Sequence, residues 1–179
     1  MGKIKGGGII QNTDVARIDV RSVPDRPAIA GAVLSILGDR GINVQFIVQC
    51  SPLNSGTHMI ICVDDGDLQE ALSSIEGVKS EMGLESVVFQ SDVAVVSVYG
   101  PNFRDYPGIA GLACSTLDRV GVNILAICTS ISTISCLIDG DRLSDAVNSL
   151  MEAFDVPASS IFAAASGVSP RVMVRRGKG

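Results

Sequence analysis

The chain has 179 residues, which is enough for one domain or two small ones. It carries 14 Lys and Arg against 19 Asp and Glu, and the resulting net charge of -5 argues against nucleic acid or an anionic membrane surface as a partner. No run of about 18 apolar residues occurs, so the sequence predicts no membrane-spanning helix.

The cysteines and the first residues bear on the compartment. The five Cys are scattered through apolar stretches without a C-x-x-C pair, which is typical of reduced thiols that serve as small core residues. Met1 leads into glycines rather than into an apolar segment of about 7–15 residues, so no secretory signal is expected. Both features predict a cytoplasmic protein.

The first half of the chain predicts six alternating elements. Residues 1–8 are expected to be flexible, and Ile9–Ala16 is expected to form a short strand with an Asp-Val-Ala turn. The elements that follow are a strand at Ala16–Ser22, a helix from Pro27 that ends at Asp39–Gly41, a strand at Val44–Cys50, a strand at His58–Val63, a helix that begins at a capping box of Asp67 and Glu70, and a strand at Val87–Gln90. The order is β-α-β-β-α-β, a ferredoxin-like pattern.

The second half repeats the first. Ala16–Cys50 and Ala94–Ser130 share a Pro-x-Ile-Ala-Gly segment and a Gly-x-Asn turn at the same spacing, which indicates an internal duplication. The repeated elements are a strand at Val95–Tyr99, a helix with an apolar stripe from Ile109 to Leu117, a hairpin of Ile124–Thr129 with Ile134–Ile138, and a helix through Leu143–Leu150. After Phe154 the duplication ends; Ile161–Ala165 and Arg171–Val174 are possible further strands, and Arg175–Lys178 reads as a solvated tail.

The strand count predicts an exchange between the two copies. The second copy runs out of strands, whereas the N-terminal strand has no earlier unit to join, so we expect that strand to be donated to the second copy. The predicted fold is α+β, with two ferredoxin-like βαββαβ units packed as a tandem. The predicted boundaries are 16–91 for the first unit, 8–15 plus 92–154 for the second, and 155–179 for a C-terminal extension.

The sequence contains no combination of residues that is typical of a catalytic site. The single His, His58, has no evident partner, and the acidic pairs Asp64/Asp65 and Asp139/Asp141 lie where helix caps are expected. Gly6–Gly8 lacks the Lys-Ser/Thr of a phosphate-binding loop, and the central strands carry too few aromatic residues to bind RNA. We therefore expect a binding module with no catalytic residues, no metal and no cofactor; a small enzyme is the least favoured alternative.

The loop before the first helix of each copy is a candidate binding site. Asp25–Ile29 and Asp105–Ile109 both place a polar residue just before a helix N-terminus, where free amides and the helix dipole favour a carboxylate. Asn43 and Asn123 follow the turns after these helices and offer both donor and acceptor. We expect each loop to lie near the turn that follows its helix, which together would suit an α-amino acid.

The chain resembles the ACT domain, and its tandem resembles the regulatory region of aspartate kinase. The residues that carry the resemblance are Asp-x-Pro before the first helix of each unit, the Gly-x-Asn turn after it, and the segments GIIQNTDVARIDV, LGDRGINV and DRVGVNILAICTS, over roughly residues 8–154. The kinase domain of that family has no counterpart in the sequence. The resemblance implies a regulatory module that binds lysine, threonine or both between ACT units, often across a dimer, and so inhibits a kinase catalytic subunit.

The resemblance also implies the effector residues. One set consists of Asp25, Arg26, Pro27, Ala28 and Ile29 with Asn43, Val44, Gln45 and Gln49 opposite; the other consists of Tyr106, Pro107, Gly108 and Ile109 with Asn123, Ile124, Thr129 and Ser130. Gln45 stands where lysine-sensitive relatives often carry an acidic residue, and Leu125 occupies the matching position. Ala28 replaces the usual Gly, and Ile131–Thr133 replaces the usual Glu-Ile-Arg. Threonine or another small neutral amino acid is therefore favoured over lysine.

Two further interpretations remain open on the sequence. The chain could be a stand-alone tandem ACT protein that docks on a different biosynthetic enzyme, or a dimerisation module whose sites no longer bind an amino acid.

Overall fold

A computed structural model of the chain describes residues 4–22, 29–51, 56–101, 103–157 and 159–164. The effector-loop residues Asp25, Arg26, Pro27 and Ala28 lie outside these ranges, as do the predicted strand Arg171–Val174 and the tail that follows it.

The described chain contains four helices and nine strands. In order they are β1 (Ile4–Lys5), β2 (Gly8–Ser22), α1 (Ile29–Asp39), β3 (Phe46–Cys50), β4 (His58–Asp64), α2 (Leu68–Met82), β5 (Leu84–Tyr99), α3 (Ile109–Arg119), β6 (Ala126–Thr129), β7 (Thr133–Asp139), α4 (Leu143–Ala153), β8 (Phe154–Asp155) and β9 (Ile161–Ala163). Seven strands form one sheet in the order β3-β4-β2-β5-β7-β6, with β9 also on β2.

The two longest strands each belong to both units. Val15–Arg21 of β2 pairs with β4, and Arg17–Ser22 pairs with the first half of β5, which completes the sheet of the first unit. Gly8–Asn12 pairs instead with Val95–Tyr99 of β5, and β5 continues through β7 to β6. The N-terminal strand is therefore donated to the second unit, and the predicted tandem of two ferredoxin-like units is confirmed.

The predicted Asp-Val-Ala turns are β-bulges rather than breaks. The pairing register of β2 and β5 shifts between Asn12 and Val15 and again between Val15 and Arg17, and Asp92 has a φ of 56°. Asp tolerates the left-handed region better than most residues, so one extra residue fits into the ladder and the strand bends without ending.

Alternation along the strands divides the core into three parts. In each unit, one face of the sheet packs on the two helices of that unit. Ile18, Val20 and Ile61 of the first unit pack on α1 and α2, and the corresponding strand residues of the second unit pack on α3 and α4. Residues of the opposite parity, including Val15, Phe46, Val93 and Leu137, form a third cluster where the helix-free faces meet. Strand period 2 lets each half-sheet bury both faces.

The second helix of the first unit begins differently from the prediction. A 3-10 turn at Asp65–Asp67 precedes α2, and it is Asp64 whose carboxylate accepts the capping bond, from Gly66 N at 3.0 Å. Asp67 has φ -93° and ψ -5° and makes no side-chain cap bond, so the predicted capping box of Asp67 and Glu70 is wrong. An N-cap side chain reaches the amides from an extended backbone, which the turn denies to Asp67.

The expectation of a flexible N-terminus is wrong for residues 4–8. β1 pairs in parallel with β8, and Gly7 N donates to Tyr99 O at 2.7 Å. A Cβ on Gly7 would lie 2.6 Å from the Tyr99 ring, so the missing side chain is what lets this backbone pass so closely. The C-terminal extension adds β9, which ends at Ala163 rather than at Ala165, parallel to Ile9–Gln11.

Replacing Gly140 with alanine is expected to destabilise the fold by about 1–3 kcal/mol, since overpacking of this size forces backbone to move. A Cβ at Gly140 would lie 2.8 Å from Asp92 O in the bulge of β5. The control is Gly77→Ala in the exposed middle of α2, where a Cβ meets nothing within 4 Å and should stabilise by about 0.5–1 kcal/mol. Urea midpoints of the two variants should move in opposite directions; equal midpoints would mean that the turn at Gly140 does not touch the bulge.

Candidate functional site

The loop before α3 presents exposed backbone at the start of a helix. A 3-10 turn at Phe103–Asp105 leads to Tyr106, Pro107 and Gly108, all exposed, and Gly108 has a φ of 86°. Glycine adopts this angle without the strain that a side chain would add. No side chain caps α3 at Gly108, and its first turn carries no acidic residue, so an anion of a ligand can take the position of a cap.

The hairpin end of β6 lies at the same end of the sheet as this loop. Thr129 pairs with Ile134, Ile134 pairs with Val98, and Gly100 N donates to Ser132 O at 2.8 Å just before the loop begins. Exposed Thr129 and Ser130 therefore lie at the same end of the sheet as Tyr106–Ile109. The Ser130 hydroxyl accepts from Thr133 N at 3.1 Å, so a ligand would share it with the hairpin turn.

The turn after α3 lies at the opposite end. Gly121 (φ 69°) reverses the chain, Val122 is buried, and Asn123 is exposed. Cys114, Asp118, Gly121, Val122, Asn123 and Ile124 line a shallow cleft of about 400 Å³ here. The expectation that the loop before the helix lies near the turn after it is wrong, because 11 helical residues separate them by about 16 Å.

In the first unit the structure describes the start of α1 and the turn after it. Ile29 begins α1 and is buried in the core, while Gly41 (φ 76°) reverses the chain before exposed Asn43 and half-buried Val44. Gln49 is exposed on the edge strand β3, opposite Met59.

Gln45 is already engaged within the chain. Its side-chain oxygen accepts a hydrogen bond from Asn12 Nδ2, and its backbone N donates to Cys62 O at 2.8 Å. Asn12 belongs to the half of β2 that serves the second unit, so this pair joins the two units. Leu125, the matching residue of the second unit, packs against the cluster between the sheets.

A cluster of charged and polar side chains surrounds buried Asp19 and was not predicted from the sequence. Asp19 is 6% exposed on the helix-free face of the first sheet, Arg17 Nη2 donates to Asp19 Oδ1 at 2.8 Å, and His58 Nε2 lies 3.0 Å from the same oxygen. The charged alternation of Arg17 and Asp19 was the available signal, but only strand pairing shows that His58 is next to them. The cluster gives His58 a structural partner; within the described ranges, no group of three or more His, Cys, Asp or Glu could hold a metal ion.

A second cleft lies over the junction of the two units. It has a volume of about 640 Å³, and it is lined by Thr13, Gln90, Ser91, Asp92, Val93, Ala94, Asp139, Gly140 and Asp141. Gln90 Nε2 donates to Asp139 Oδ1 at 2.9 Å, and Asp139 makes no cap bond to the helical turn after it. Three carboxylates line this cleft, which makes it the more acidic of the two.

Comparisons with known proteins agree with this geometry. Family models described as ACT domain match residues 16–79 and 96–154. The solved regulatory subunit of aspartate kinase from Thermus thermophilus, in a ligand-free form, is 32% identical; the match covers 83% of this chain and 98% of that one, with a TM-score of 0.77. A solved structure of aspartokinase alpha and beta subunits is 33% identical, with 84% and 99% covered and a TM-score of 0.77.

Full-length aspartate kinases match over only part of their length. The aspartate kinase of Stutzerimonas stutzeri is 31% identical over 151 residues, which are 84% of this chain and 37% of that protein. The chain thus spans little more than a third of these curated relatives. Among its described helices, none has the length and apolar character needed to cross a bilayer.

Proposed function

Because this chain belongs to the family of tandem ACT regulatory subunits of aspartate kinase, we propose that it senses a small amino acid and passes that signal to a kinase catalytic subunit. The chain is an allosteric ACT regulatory module. The single observation that carries the sensing proposal is the uncapped N-terminus of α3 at Gly108, with exposed Thr129 and Ser130 at the same end of the sheet. Amides there bind the carboxylate, and hydroxyl and carbonyl oxygens bind the ammonium.

The remaining effector residues come from a second unit. Asn123 and Ile124 are separated from Gly108 by the length of α3, so one unit cannot supply both halves of a site. Two units packed with their first helices antiparallel bring the loop of one beside the turn of the other. We therefore propose a homodimer through ACT units, with Ile29, Asn43, Val44 and Gln49 in the equivalent site of the first unit together with the loop Asp25–Ala28.

Threonine is the proposed effector rather than lysine. Gln45 already holds Asn12, and neither Gln45 nor Leu125 carries the negative charge that a lysine side-chain ammonium requires. A hydrogen bond to a charged group contributes about 1.5–3 kcal/mol, which a bound lysine would lose here. A threonine side chain is neutral and loses nothing at these positions.

The proposed consequence is feedback inhibition of aspartate kinase in the cytoplasm. Bound amino acid favours one arrangement of two units over the other by its difference in affinity, and the catalytic subunit responds to that arrangement. The solved complex of alpha and beta subunits supports a catalytic partner, since this chain covers 99% of the matched chain. The alternatives are docking on a different biosynthetic enzyme, or a dimerisation module with sites that no longer bind.

The first test is a thermal shift of the purified chain against Thr, Lys, Met and Ile, one at a time. A ligand at 100 times its dissociation constant stabilises by about 2.7 kcal/mol, which raises Tm by roughly 5–11 °C for a chain of this size. We expect the shift with Thr only. It should disappear in Asn123→Ala and persist in Asn148→Ala, which removes an exposed Asn from α4, away from the site.

Other results are decisive against parts of the proposal. A shift with Lys alone would contradict the selectivity argument, and no shift with any amino acid would leave the dimerisation interpretation. Co-purification distinguishes the partner: a kinase catalytic subunit supports feedback inhibition, and a different biosynthetic enzyme supports the docking alternative.

A further inference from the structure

The turn after α3 is held by a side chain from the start of α4. Arg142 immediately precedes α4, and its Nη2 donates to Val120 O at 2.8 Å while its Nη1 donates to Gly121 O at 3.3 Å. Both carbonyls come just after Arg119, the last residue of α3, where a helix leaves its carbonyls without partners of its own. Arg142 therefore supplies donors that this helix end needs.

Asp145 fixes the orientation of the Arg142 guanidinium. Its Oδ2 accepts a hydrogen bond from Arg142 Nε at 3.1 Å and lies 2.9 Å from Arg142 Nη2. A guanidinium is planar and presents its donors in a rigid fork, so a carboxylate on one edge and two carbonyls on another hold it in a single orientation. Asp145 lies in the first turn of α4. The turn after α3 is thus fastened to the beginning of α4.

The fastened turn leads directly to the proposed effector residues. Gly121 N donates to Asp118 O at 2.9 Å. Val122 N donates to Leu117 O at 3.0 Å, so α3 engages both amides while Arg142 engages the carbonyls. Exposed Asn123 comes next and lines the cleft of about 400 Å³ together with Gly121. Since one residue separates the two, a displaced Gly121 backbone displaces Asn123 as well.

The first unit ties its corresponding turn differently. Asp67 precedes α2 where Arg142 precedes α4, so no guanidinium comes from that position. The cation lies on the turn instead: Arg40 Nη1 is 3.5 Å from Glu70 Oε1, and both side chains are more than half exposed. Such an exposed pair contributes little, because solvent screens it and two flexible side chains must be ordered. The Arg142 fastening therefore belongs to the second unit alone.

We propose that Arg142 is a positioning residue for the effector site that contains Asn123, an inference that rests on the function proposed above. By holding the carbonyls of Val120 and Gly121, Arg142 keeps Asn123 in place before the amino acid arrives. A preformed turn loses less conformational freedom when the ligand binds, and this raises the affinity without any contact between Arg142 and the ligand.

Amide exchange of the full chain without ligand tests the fastening. In Arg142→Met we expect the amides of Gly121 and Val122 to exchange about tenfold faster than in the parent, because hydrogen bonds from a charged donor are lost. The amides of Gly41 and Ile42 are the internal control, since they make the same two bonds to the end of α1 and should exchange at an unchanged rate.

Calorimetric titration tests the positioning role. The ligand is whichever of Thr, Lys, Met and Ile stabilises the parent, and we expect its Kd to rise about tenfold in Arg142→Met. Asp145→Asn should raise the Kd less, and it should add nothing in the Arg142→Met background, since Asp145 acts through Arg142. The matched control Lys79→Met, which breaks an exposed ion pair with Glu76 on α2, should leave the Kd unchanged.

Three results would overturn the proposal. Equal exchange of Gly121 and Val122 in the parent and Arg142→Met means that Arg142 does not hold the turn. Faster exchange with an unchanged Kd means that the held turn does not prepare the site. If the parent itself binds none of the four amino acids, the sensing function fails and the positioning role fails with it, a result that the parent titration distinguishes from the other two.

Discussion

Replacing Phe154 with alanine should lower the free energy of unfolding by about 3–5 kcal/mol, the usual cost of removing a buried aromatic side chain. Phe154 is 0% exposed, and its ring centroid lies 6.0 Å from that of Phe103 within the core of the second unit. It also begins β8, which holds β1, so the cavity would open beneath the N-terminal segment. For a chain of this length the loss corresponds to a fall in Tm of roughly 6–20 °C.

The matched control is Phe162→Ala in β9, where the ring is 46% exposed. An exposed ring leaves little cavity, so this variant should lose no more than about 1 kcal/mol. Denaturant unfolding of the two variants measures the difference directly. If both lose the same amount, Phe154 does not occupy the sealed position described for it.

Alkaline pH should destabilise the fold through two buried thiols, by up to about 4 kcal/mol for each, at about 1.36 kcal/mol per pKa unit. Burial raises the pKa of Cys62 from 9.0 to about 12, and burial raises the pKa of Cys136 to about 12 as well. Above pH 9 the unfolded chain releases these protons while the folded chain keeps them. The stabilising contribution is therefore complete below pH 9 and is lost as pH rises from 9 towards 12.

Urea unfolding at a series of pH values from 8 to 11 tests this linkage. We expect the stability of the parent to fall more steeply above pH 9 than that of Cys62→Ala/Cys136→Ala, whose absolute stability is lower because of the lost packing. Cys50→Ala/Cys128→Ala, at two exposed thiols, should keep the steep slope of the parent. Parallel slopes for all three chains would show that the buried thiols ionise as easily in the folded state as in the unfolded state.

The exposed positions of Cys50 and Cys128 correct the expectation that all five thiols are core residues. Both lie in apolar stretches, but β3 and β6 are the terminal strands of the sheet. Apolar neighbours in sequence indicate a strand, whereas burial depends on which strands lie beside it. Only Cys62 and Cys136, in the inner strands β4 and β7, are sealed.

The sequence by itself determined the duplication, the element order, the glycine turns at Gly41 and Gly121, and the donation of the N-terminal strand to the second unit. These features depend on local signals: apolar periodicity, residues that allow a positive φ, and a count of strands that has only one consistent solution. The family resemblance rested on the same local patterns, and the matches to ACT domain models confirm it.

Tertiary structure alone decided where those elements meet. It placed the loop at Gly108 and the turn at Asn123 at opposite ends of α3, gave His58 its partner Asp19, and bound Gln45 to Asn12. It also paired Ile4–Lys5 with Phe154–Asp155 and placed Gly7 against Tyr99. Each of these depends on how parts of the chain that are distant in sequence are placed by strand register, bulges and helix length, and no local pattern specifies it.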